Sequence, residues 1–318
     1  MSSCVVDGIN IVRGLALFLG VAGLALGQDP PAAPDAPSAI KVRVEVVNVL
    51  CDVYDQKGAL ITNLHKEDFK IQENGRPQEI RYFAQESNLP LTLALLIDVS
   101  GSVRTIIDEE KVTASSFLER ILRQDDQALL LSFASNVILW QDFTSSPAAL
   151  HTALVRLRAV PVRGLQIYSR FAGTLLYDAV YLTASEKLND VKGRKAVVII
   201  SDGVDTGSQT KLMEAVQALQ DTNTITYGIC YQPPGGESGC SYLKDLAVPT
   251  GGRSFTIGKK TPLSKIFQTI EDEIRSQYAI GYISTNQAHD GTFRKIQVKT
   301  KSGSLRVQTR KGYYAAKE

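Results

Sequence analysis

Two apolar runs that each end in an aspartate constrain the fold of this chain more than any other feature. Leu91–Ile97 reads L-T-L-A-L-L-I and is followed by Asp98, while Lys195–Ile200 reads K-A-V-V-I-I and leads through a serine to Asp202. Continuous rather than alternating apolarity predicts strands that are buried on both faces of a parallel sheet. Ligands of such sheets bind outside the carboxyl ends of the strands, where the strand order reverses. We therefore expect an anionic crevice at that edge, and the function in it.

Strand-like and helix-like stretches alternate through the middle of the chain, which predicts a parallel sheet with helices on both faces. The turn Ser135-Asn136 separates strands over 127–133 and 137–140, so the second of these is expected to be an antiparallel edge strand. Residues 160–173 show no clear period and are predicted to form a loop. Thr261 is expected to cap a helix that begins at Pro262. The other predicted helices cover 109–122, 148–157, 174–188 and the segment around 212–219, and the other strands cover 225–230 and 253–257.

Both ends of the chain show the alternating pattern of half-buried strands. Asn74-Gly75 is the strongest hairpin signal in the first end segment, and Ser302-Gly303 joins two alternating stretches in the last one. Neither end has enough strands for a stable sheet of its own. The predicted fold class is therefore α/β, a doubly wound, mostly parallel sheet with one antiparallel edge strand, inserted into a small β-sandwich made from both chain ends. The predicted boundaries are 40–88 and 279–318 for the two halves of the sandwich and 89–278 for the inserted domain.

The amino terminus has the pattern of an export signal. Arg13 precedes an apolar core over 15–26, which is shorter than the ~20 residues that a membrane-spanning helix needs. Small residues before Gln28 suit cleavage, so residues 1–27 are predicted to be a signal peptide; an uncleaved anchor is the alternative. Residues 28–39 form a Pro/Ala linker, which is expected to be extended. The predicted location is secreted, periplasmic or the cell envelope.

Composition and charge exclude some classes of protein. Hydrophobic residues make up 44% of the chain and charged residues 21%, as in soluble globular proteins. A net charge of +2 without a long Lys/Arg run gives no indication of nucleic-acid binding. Cys51 is in phase with apolar neighbours and is expected to be a buried thiol. Cys230 and Cys240 bracket a turn-rich loop, and their spacing permits a disulfide without establishing one.

Five residues near the predicted strand ends resemble the metal-ion-dependent adhesion site of von Willebrand factor A (VWFA) domains. They are Asp98, Ser100 and Ser102 in D-V-S-G-S, Thr174 in A-G-T-L-L-Y-D-A, and Asp202 in S-D-G. The flanking segments D-F-K-I-Q-E-N-G-R-P-Q-E-I, Q-Y-A-I-G-Y and R-K-G-Y-Y are similar to the bacterial secreted VWFA-related proteins of the acidobacterial type. The resemblance covers most of the chain after residue 40.

The resemblance implies that Asp98, Ser100 and Ser102 anchor a cation, with Thr174 and Asp202 completing the site. It also implies that an acidic side chain of a partner protein occupies an open position on the metal. Hydroxyl and carboxylate oxygens without thiolate or imidazole suit a hard ion, so Mg²⁺ is predicted, with Mn²⁺ and Ca²⁺ as alternatives. The competing interpretation is structural, because Ser and Asp are ordinary turn residues and a threonine before a helix is often a cap.

No enzyme signature accompanies these residues, and the chain is predicted not to be an enzyme. The three histidines, His65, His151 and His289, stand in ordinary polar contexts, and neither a nucleophile elbow nor a Gly-rich phosphate loop follows a strand. We expect neither a small-molecule substrate nor a nucleic-acid partner, and membrane contact only through an uncleaved signal.

The predicted function is an exported protein-binding, adhesion-type module. The alternative is a structural subunit of cell-envelope assembly in which the metal only stabilises the loops. A hydrolase would need an activity that depends on Ser100 or Ser102. A last feature is a basic face on the final hairpin, which we expect to be solvated rather than in contact with anionic glycans or lipid headgroups; it comprises Lys295, Lys299, Lys301, Arg306 and Arg310.

Overall fold

The computed structural model describes residues 46–85, 89–101, 107–158, 173–232 and 238–317. Its strands are β1 (Val46–Tyr54), β2 (Phe69–Glu73), β3 (Arg76–Gln78), β4 (Ile80–Gln85), β5 (Leu91–Asp98), β6 (Gln127–Phe133), β7 (Val137–Thr144), β8 (Arg194–Ser201), β9 (Thr224–Cys230), β10 (Ser254–Thr256), β11 (Tyr278–Ile283), β12 (Phe293–Thr300), β13 (Arg306–Thr309) and β14 (Gly312–Tyr314). Its helices are α1 (Ile107–Ile121), α2 (Pro147–Arg156), α3 (Leu176–Leu182), α4 (Leu212–Asp221), α5 (Cys240–Ala247) and α6 (Leu263–Ser276), and α3 continues as a π-helical turn over Thr183–Leu188.

A six-stranded sheet in the order β10-β9-β8-β5-β6-β7 lies at the centre. Its neighbouring strands are parallel except β6 and β7, which are antiparallel as predicted. Every residue of β5 and β8 is buried, which accounts for their continuous apolar sequences. Successive residues of β5 serve opposite faces: Leu95 belongs to the core shared with α1, α2 and α6, and Leu96 to the core shared with α3, α4 and α5. The sheet is therefore covered by helices on both sides.

The two ends of the chain form two four-stranded sheets, in the orders β13-β1-β11-β4 and β14-β12-β2-β3. Each sheet takes strands from both ends, and a shared apolar core that includes Val49, Ile71, Ile280 and Val298 lies within them. The predicted fold class, an α/β unit with a sandwich built from both ends, is thereby confirmed. The exact domain boundaries stay a prediction.

Several local predictions can be compared with the structure. The apolar residue Cys51 is buried, as predicted, and Cys230 and Cys240 form a disulfide, which the spacing had left open. The expected cap by Thr261 is wrong, because α6 begins only after Pro262 and the Thr261 hydroxyl donates to the carbonyl of Thr256 at 2.8 Å.

Some predictions fall outside the part of the chain that the structure describes. They are the signal peptide over 1–27, the linker over 28–39 and most of the loop over 160–173. Within the described ranges, the helices are all too short or too polar to cross a membrane.

Asp126 ties together three elements at the amino-terminal edge of the central sheet. Its carboxylate accepts hydrogen bonds from the amides of Leu91 at 2.7 Å and Arg123 at 2.9 Å, and it pairs with Arg275 of α6. Burial alone would raise the pKa of Asp126, but these hydrogen bonds and the arginine outweigh it, so the pKa lies below its usual value. The carboxylate is therefore expected to stabilise the fold in its charged form.

Replacing Asp126 by asparagine should lower the free energy of unfolding by about 2 kcal/mol near neutral pH, since hydrogen bonds to a charged acceptor are lost. A lowered pKa means that this stabilisation is present above the unfolded-state pKa of about 4 and is lost as the pH falls through the folded-state pKa. Urea unfolding of both proteins down a pH series would show the difference shrinking toward acid. The exposed neighbour Asp125→Asn is the control, and an acid-independent difference for Asp126→Asn would contradict this account.

Candidate metal centre

The ends of β5 and β8 place two carboxylates side by side. The parallel register pairs Ile97 with Ile200, so Asp98 and Ser201 lie level at the carboxyl ends of adjacent strands. The Ser201 hydroxyl donates a hydrogen bond of 2.7 Å to the Asp98 carboxylate. Asp202 follows directly, at the same edge of the sheet. The crevice predicted from the two apolar runs is therefore present in the fold.

Asp98 is a buried carboxylate whose hydrogen-bond partners among the described residues are neutral. Its side chain is 0% exposed, and besides Ser201 it accepts from the amide of Ser100 at 2.8 Å. Burial raises the pKa of Asp98 to about 6, against the effect of the hydrogen bonds from Ser201 and Ser100, and the negative charge of Asp202 raises it further. No basic side chain is among the groups acting on Asp98 in the described ranges. The charged form is thus poorly compensated by the protein itself.

Asp202 is fixed by the backbone around it. Its carboxylate accepts from the amide of Val204 at 2.9 Å, and its carbonyl accepts from the amide of Gly239 at 2.7 Å. Gly203, which follows it, has a φ of +81°, a conformation that favours glycine. Gly203 and Gly239 lie so close that a Cβ on Gly239 would stand 2.2 Å from the carbonyl oxygen of Gly203. The segment that begins α5 therefore holds the turn after Asp202 in place.

Thr174 lies between the end of β6 and the segment that follows Asp202. The Thr174 amide donates to the hydroxyl of Thr206 at 2.9 Å, and its carbonyl accepts from the amide of Thr206 at 3.1 Å. On its other side the amide of Leu175 donates to the carbonyl of Ala134 at 2.9 Å. The residue that directly precedes α3 is Leu175, and no side chain caps the helix there, so Thr174 is not its N-cap. The capping alternative for Thr174 is therefore not supported.

The structure brings four of the five predicted residues to one edge of the sheet: Asp98, Ser100, Thr174 and Asp202. The side chain of Ser100, just beyond β5, is hydrogen bonded to Asp98 and partly exposed. Ser102 lies outside the described residues, so the structure does not place it. Their assignment as metal ligands stays a prediction.

Sequence reasoning missed several residues that shape this edge. Ser201 is the serine of S-D-G, and the parallel register of the two apolar runs was the signal that could have identified it. The Asp205 carboxylate accepts from the amide of Tyr177 at 3.2 Å and from the hydroxyl of Ser208 at 2.6 Å, so it anchors the start of α3. No local sequence pattern predicts the role of Gly239, because that role depends on a contact with Gly203.

The donor groups at this edge fit a hard divalent cation. They offer two carboxylates and neutral hydroxyls, and oxygen-only sets of this kind suit Mg²⁺, Mn²⁺ or Ca²⁺. The observation that favours a cation is the buried Asp98 carboxylate, on which no basic side chain acts within the part of the chain that the structure describes. Across the part of the chain covered by the structure, no group of three or more His, Cys, Asp and Glu side chains could hold a metal. A site here would therefore depend on its hydroxyl groups.

Solved structures of other proteins share this fold. Proximal thread matrix protein 1 from the mussel byssus is 14% identical, with a TM-score of 0.50 over 71% of this chain and 50% of that one. A second structure of the same protein, with a zinc-occupied MIDAS motif (the metal-ion-dependent adhesion site), is 15% identical, with a TM-score of 0.51 over 64% of this chain and 50% of that one. This chain thus spans about half of the mussel protein, and identities this low show the fold alone.

One more solved structure and a family model are also similar to this chain. A von Willebrand factor type A structure from Catenulispora acidiphila is 13% identical, with a TM-score of 0.48 over 80% of this chain and 75% of that one. No curated protein sequence matches the chain. The family model described as von Willebrand factor type A domain matches residues 93–204, which include both carboxylates of the crevice. Residues 93–204, set between the strands that the two chain ends contribute, are therefore similar to a von Willebrand factor type A domain.

Proposed function

We propose that this chain is an exported, non-enzymatic protein-binding module that uses a divalent cation at the ends of β5 and β8. The observation that carries the proposal is the buried carboxylate of Asp98, whose hydrogen-bond partners in the described ranges are neutral and which lies beside Asp202. A carboxylate so placed costs stability unless a cation compensates it. The von Willebrand factor type A fold, in which the mussel protein holds zinc at its MIDAS motif, supports this position for the ion.

The proposal assigns a role to each residue of the predicted set. Ser201 and the amide of Ser100 orient the Asp98 carboxylate, and the amide of Val204 orients that of Asp202. Ser100, Ser102 and Thr174 supply neutral hydroxyl oxygens. The bound cation would supply a Lewis-acidic position for a carboxylate of the partner. Because the other oxygens are mostly uncharged, such a cation keeps a strong attraction for an acidic side chain.

The alternative, an envelope-assembly subunit with a purely stabilising metal, has less support. The segment after Asp202 is already bonded to α3 by protein groups: Asp178 accepts from the amides of Gln209 at 3.2 Å and Thr210 at 2.9 Å, and the Asp205 carboxylate accepts from the amide of Tyr177 at 3.2 Å. Loops that are held in this way do not need a cation for their conformation. Export to the cell surface or periplasm is proposed from the amino-terminal signal pattern.

The proposal is tested by calorimetric titration of Mg²⁺ into the purified protein and its Asp98→Ala variant. We expect saturable binding by the wild type and an affinity about 100-fold lower for the variant, because a ligand-orienting carboxylate is lost. Asp125→Ala removes an exposed carboxylate elsewhere and should bind like the wild type.

If a folded wild type shows no saturable binding of Mg²⁺, Mn²⁺ or Ca²⁺, these residues only stabilise the turns in which they lie, and the proposal fails. If binding is found, a pull-down with and without the cation tests whether a partner protein depends on it. A hydrolytic activity that is lost in Ser100→Ala would overturn the non-enzymatic assignment.

A further inference from the structure

A cleft of about 620 Å³ opens between the two end sheets, away from the metal site. Its walls are the edges of β12 and β13, and the segment 248–253 before β10 closes one side. Its volume falls within the range of about 300–1,000 Å³ typical of ligand pockets. None of the four predicted metal-site residues that the structure describes lines it. The cleft is therefore a separate candidate for binding.

The charge of this cleft is strongly one-sided. Its lining includes five basic side chains and no acidic one: Arg253, Lys295, Arg306, Arg310 and Lys311. Arg253 is paired with Glu273 behind it, so its charge is largely neutralised, while Lys295, Arg306 and Lys311 are exposed. The hairpin was expected to present a solvated basic face, but the strands crossing between the sheets concentrate part of it in a concave surface.

Arg310 departs most from that expectation, because it is only 8% exposed. One of its terminal nitrogens donates to the carbonyl of Asn48 at 2.7 Å, whereas its Nε has no hydrogen-bond partner among the described residues. Burial lowers the pKa of Arg310 to about 10, so the side chain stays charged at neutral pH. Because this Nε is fully buried, only the terminal nitrogens of the recessed guanidinium can meet a carboxylate in the cleft.

Both walls of the cleft include a short open stretch of strand edge. Among the described residues β13 itself pairs with β1, while the backbone just beyond it is covered, because Thr250 bridges Arg310 and the amide of Lys311 donates to the carbonyl of Pro249. The carbonyl of Val53 points away from β13, because it accepts from the amide of Ile61 on the other side of β1. Val307 lies opposite Val53 in the antiparallel pair, so the N–H and C=O of Val307 point away from β1. On the other wall, β14 pairs with β12 along Phe293–Lys295 and the amide of Ile296 donates to the carbonyl of Lys311, so among the described residues the same edge of β12 is open only beyond Ile296.

The geometry points to a second binding site in this cleft, for an extended acidic peptide of another protein that adds a strand to the open edge of β13. The backbone of the peptide would pair with Val307, and its carboxylates would meet Lys295, Lys311 and the recessed Arg310. This mode of recognition combines main-chain hydrogen bonds with side-chain contacts on alternate residues.

The observations favour a peptide over other anionic partners. A flat lipid surface cannot reach a guanidinium that lies inside a cleft, and a sulfated glycan would satisfy the charges but not the backbone groups of the strand edge. The inference does not depend on the metal site, because the two sites share no residue.

The test is a fluorescence-anisotropy titration of the protein, in the presence of a metal chelator, with a short labelled peptide in which Glu and Thr alternate. We expect saturable binding that weakens with added salt, and loss of binding when alternate backbone nitrogens of the peptide are methylated. The double variant Lys295→Glu, Lys311→Glu should bind roughly tenfold more weakly, as two partly screened ion pairs are replaced by repulsion.

The matched control is Lys299→Glu, Lys301→Glu, which makes the same charge change on the same strand and the following turn but outside the cleft. It should bind the peptide as the wild type does. Three results would each overturn the inference. They are an equal loss of peptide affinity in both double variants, unchanged binding of the methylated peptide, and tighter binding of a heparin-derived oligosaccharide than of the peptide. Because the chelator removes any cation, failure here leaves the metal-site proposal untouched, and failure of the Mg²⁺ titration leaves this one untouched.

Discussion

Arg253→Ala is expected to lower the free energy of unfolding by about 3–5 kcal/mol near neutral pH, the usual cost of removing one partner from a buried ion pair. Arg253 pairs with Glu273 of α6, whose side chain is 0% exposed, and Arg253 itself is 30% exposed. The guanidinium also lies over the ring of Phe255, 4.7 Å from its centroid. Without it, Glu273 would keep its charge in the interior with no cation in contact.

A second buried carboxylate increases this cost. Asp52 of β1 is 1% exposed and accepts a hydrogen bond of 3.2 Å from the side-chain amide Nε2 of Gln277. Burial raises the pKa of Asp52 well above its usual value, and the charge of Glu273 raises it further. Burial likewise raises the pKa of Glu273, while Arg253 lowers it. The cluster joins the end sheets, through β1, to the last helix of the central unit, so its loss should weaken the contact between them.

The pH dependence of Arg253→Ala follows from the direction of these shifts. A carboxyl whose folded-state pKa is raised destabilises the fold once it is charged, so the stabilising protonated form is lost as the pH rises through the folded-state pKa. Removing Arg253 raises the pKa of Glu273 further, because the arginine lowers it in the wild type. The deficit of the variant should therefore be largest at pH values above neutrality and shrink toward about pH 5.

A double-mutant cycle in urea unfolding separates this charge effect from lost packing. Glu273→Gln in the Arg253→Ala background should recover most of the lost stability, because no uncompensated charge remains. Arg306→Ala is the control: Arg306 lies 4.5 Å over the ring of Tyr54 in the same region, but it is exposed and should cost no more than about 1 kcal/mol. Additive losses for Arg253 and Glu273, with no change between acid and neutral pH, would contradict the ion-pair account.

The buried cluster also shows where prediction from sequence reaches its limit. Continuous apolar runs identified β5 and β8, because a strand that is covered on both faces needs no polar positions. The common position of Asp98 and Asp202 could then be predicted, since parallel strands end at the same edge of a sheet. No local sequence pattern indicates that Asp52 and Glu273 lie near each other, because they come together only after the sandwich has packed against α6.

Contacts between distant segments account for the other differences. In the sequence, Arg310 continues the alternating pattern of a strand with one solvated face. In the structure it is buried, because the chain crosses from one end sheet to the other after β13. The spacing of Cys230 and Cys240 permits a disulfide, but only the fold brings the two side chains together. Ser201 could have been paired with Asp98 from the register, whereas Gly239 could not have been connected to Asp202 by any local pattern.

Gly239→Ala is expected to affect stability and metal affinity together, although residue 239 is not a predicted ligand. The new Cβ would stand 2.2 Å from the carbonyl oxygen of Gly203 and 2.7 Å from the amide nitrogen of Val204. Both groups are backbone and cannot rotate away, so the turn must shift, at a cost of about 3 kcal/mol. The φ of Gly239 is −93°, which alanine adopts freely, so the loss would come from the contact rather than from backbone strain.

The same shift should reach the candidate metal centre. The amide of Val204 holds the Asp202 carboxylate and the amide of Gly239 holds the Asp202 carbonyl, so both hydrogen bonds lie in the segment that must move. Misplacing an orienting group of a metal ligand typically weakens binding by about 10- to 100-fold, and we expect about tenfold here. Urea unfolding and a Mg²⁺ titration under conditions that keep the variant folded would measure the two effects separately.

Gly303→Ala is the matched control, because a Cβ on Gly303 would meet no atom within 4 Å and the residue lies in the turn between β12 and β13. It should unfold within about 1 kcal/mol of the wild type and bind Mg²⁺ equally well. If Gly239→Ala loses stability but binds Mg²⁺ like the wild type, the contact between the two glycines supports the fold without positioning Asp202. If it loses affinity as well, a residue far along the chain from every predicted ligand sets the geometry of the metal centre.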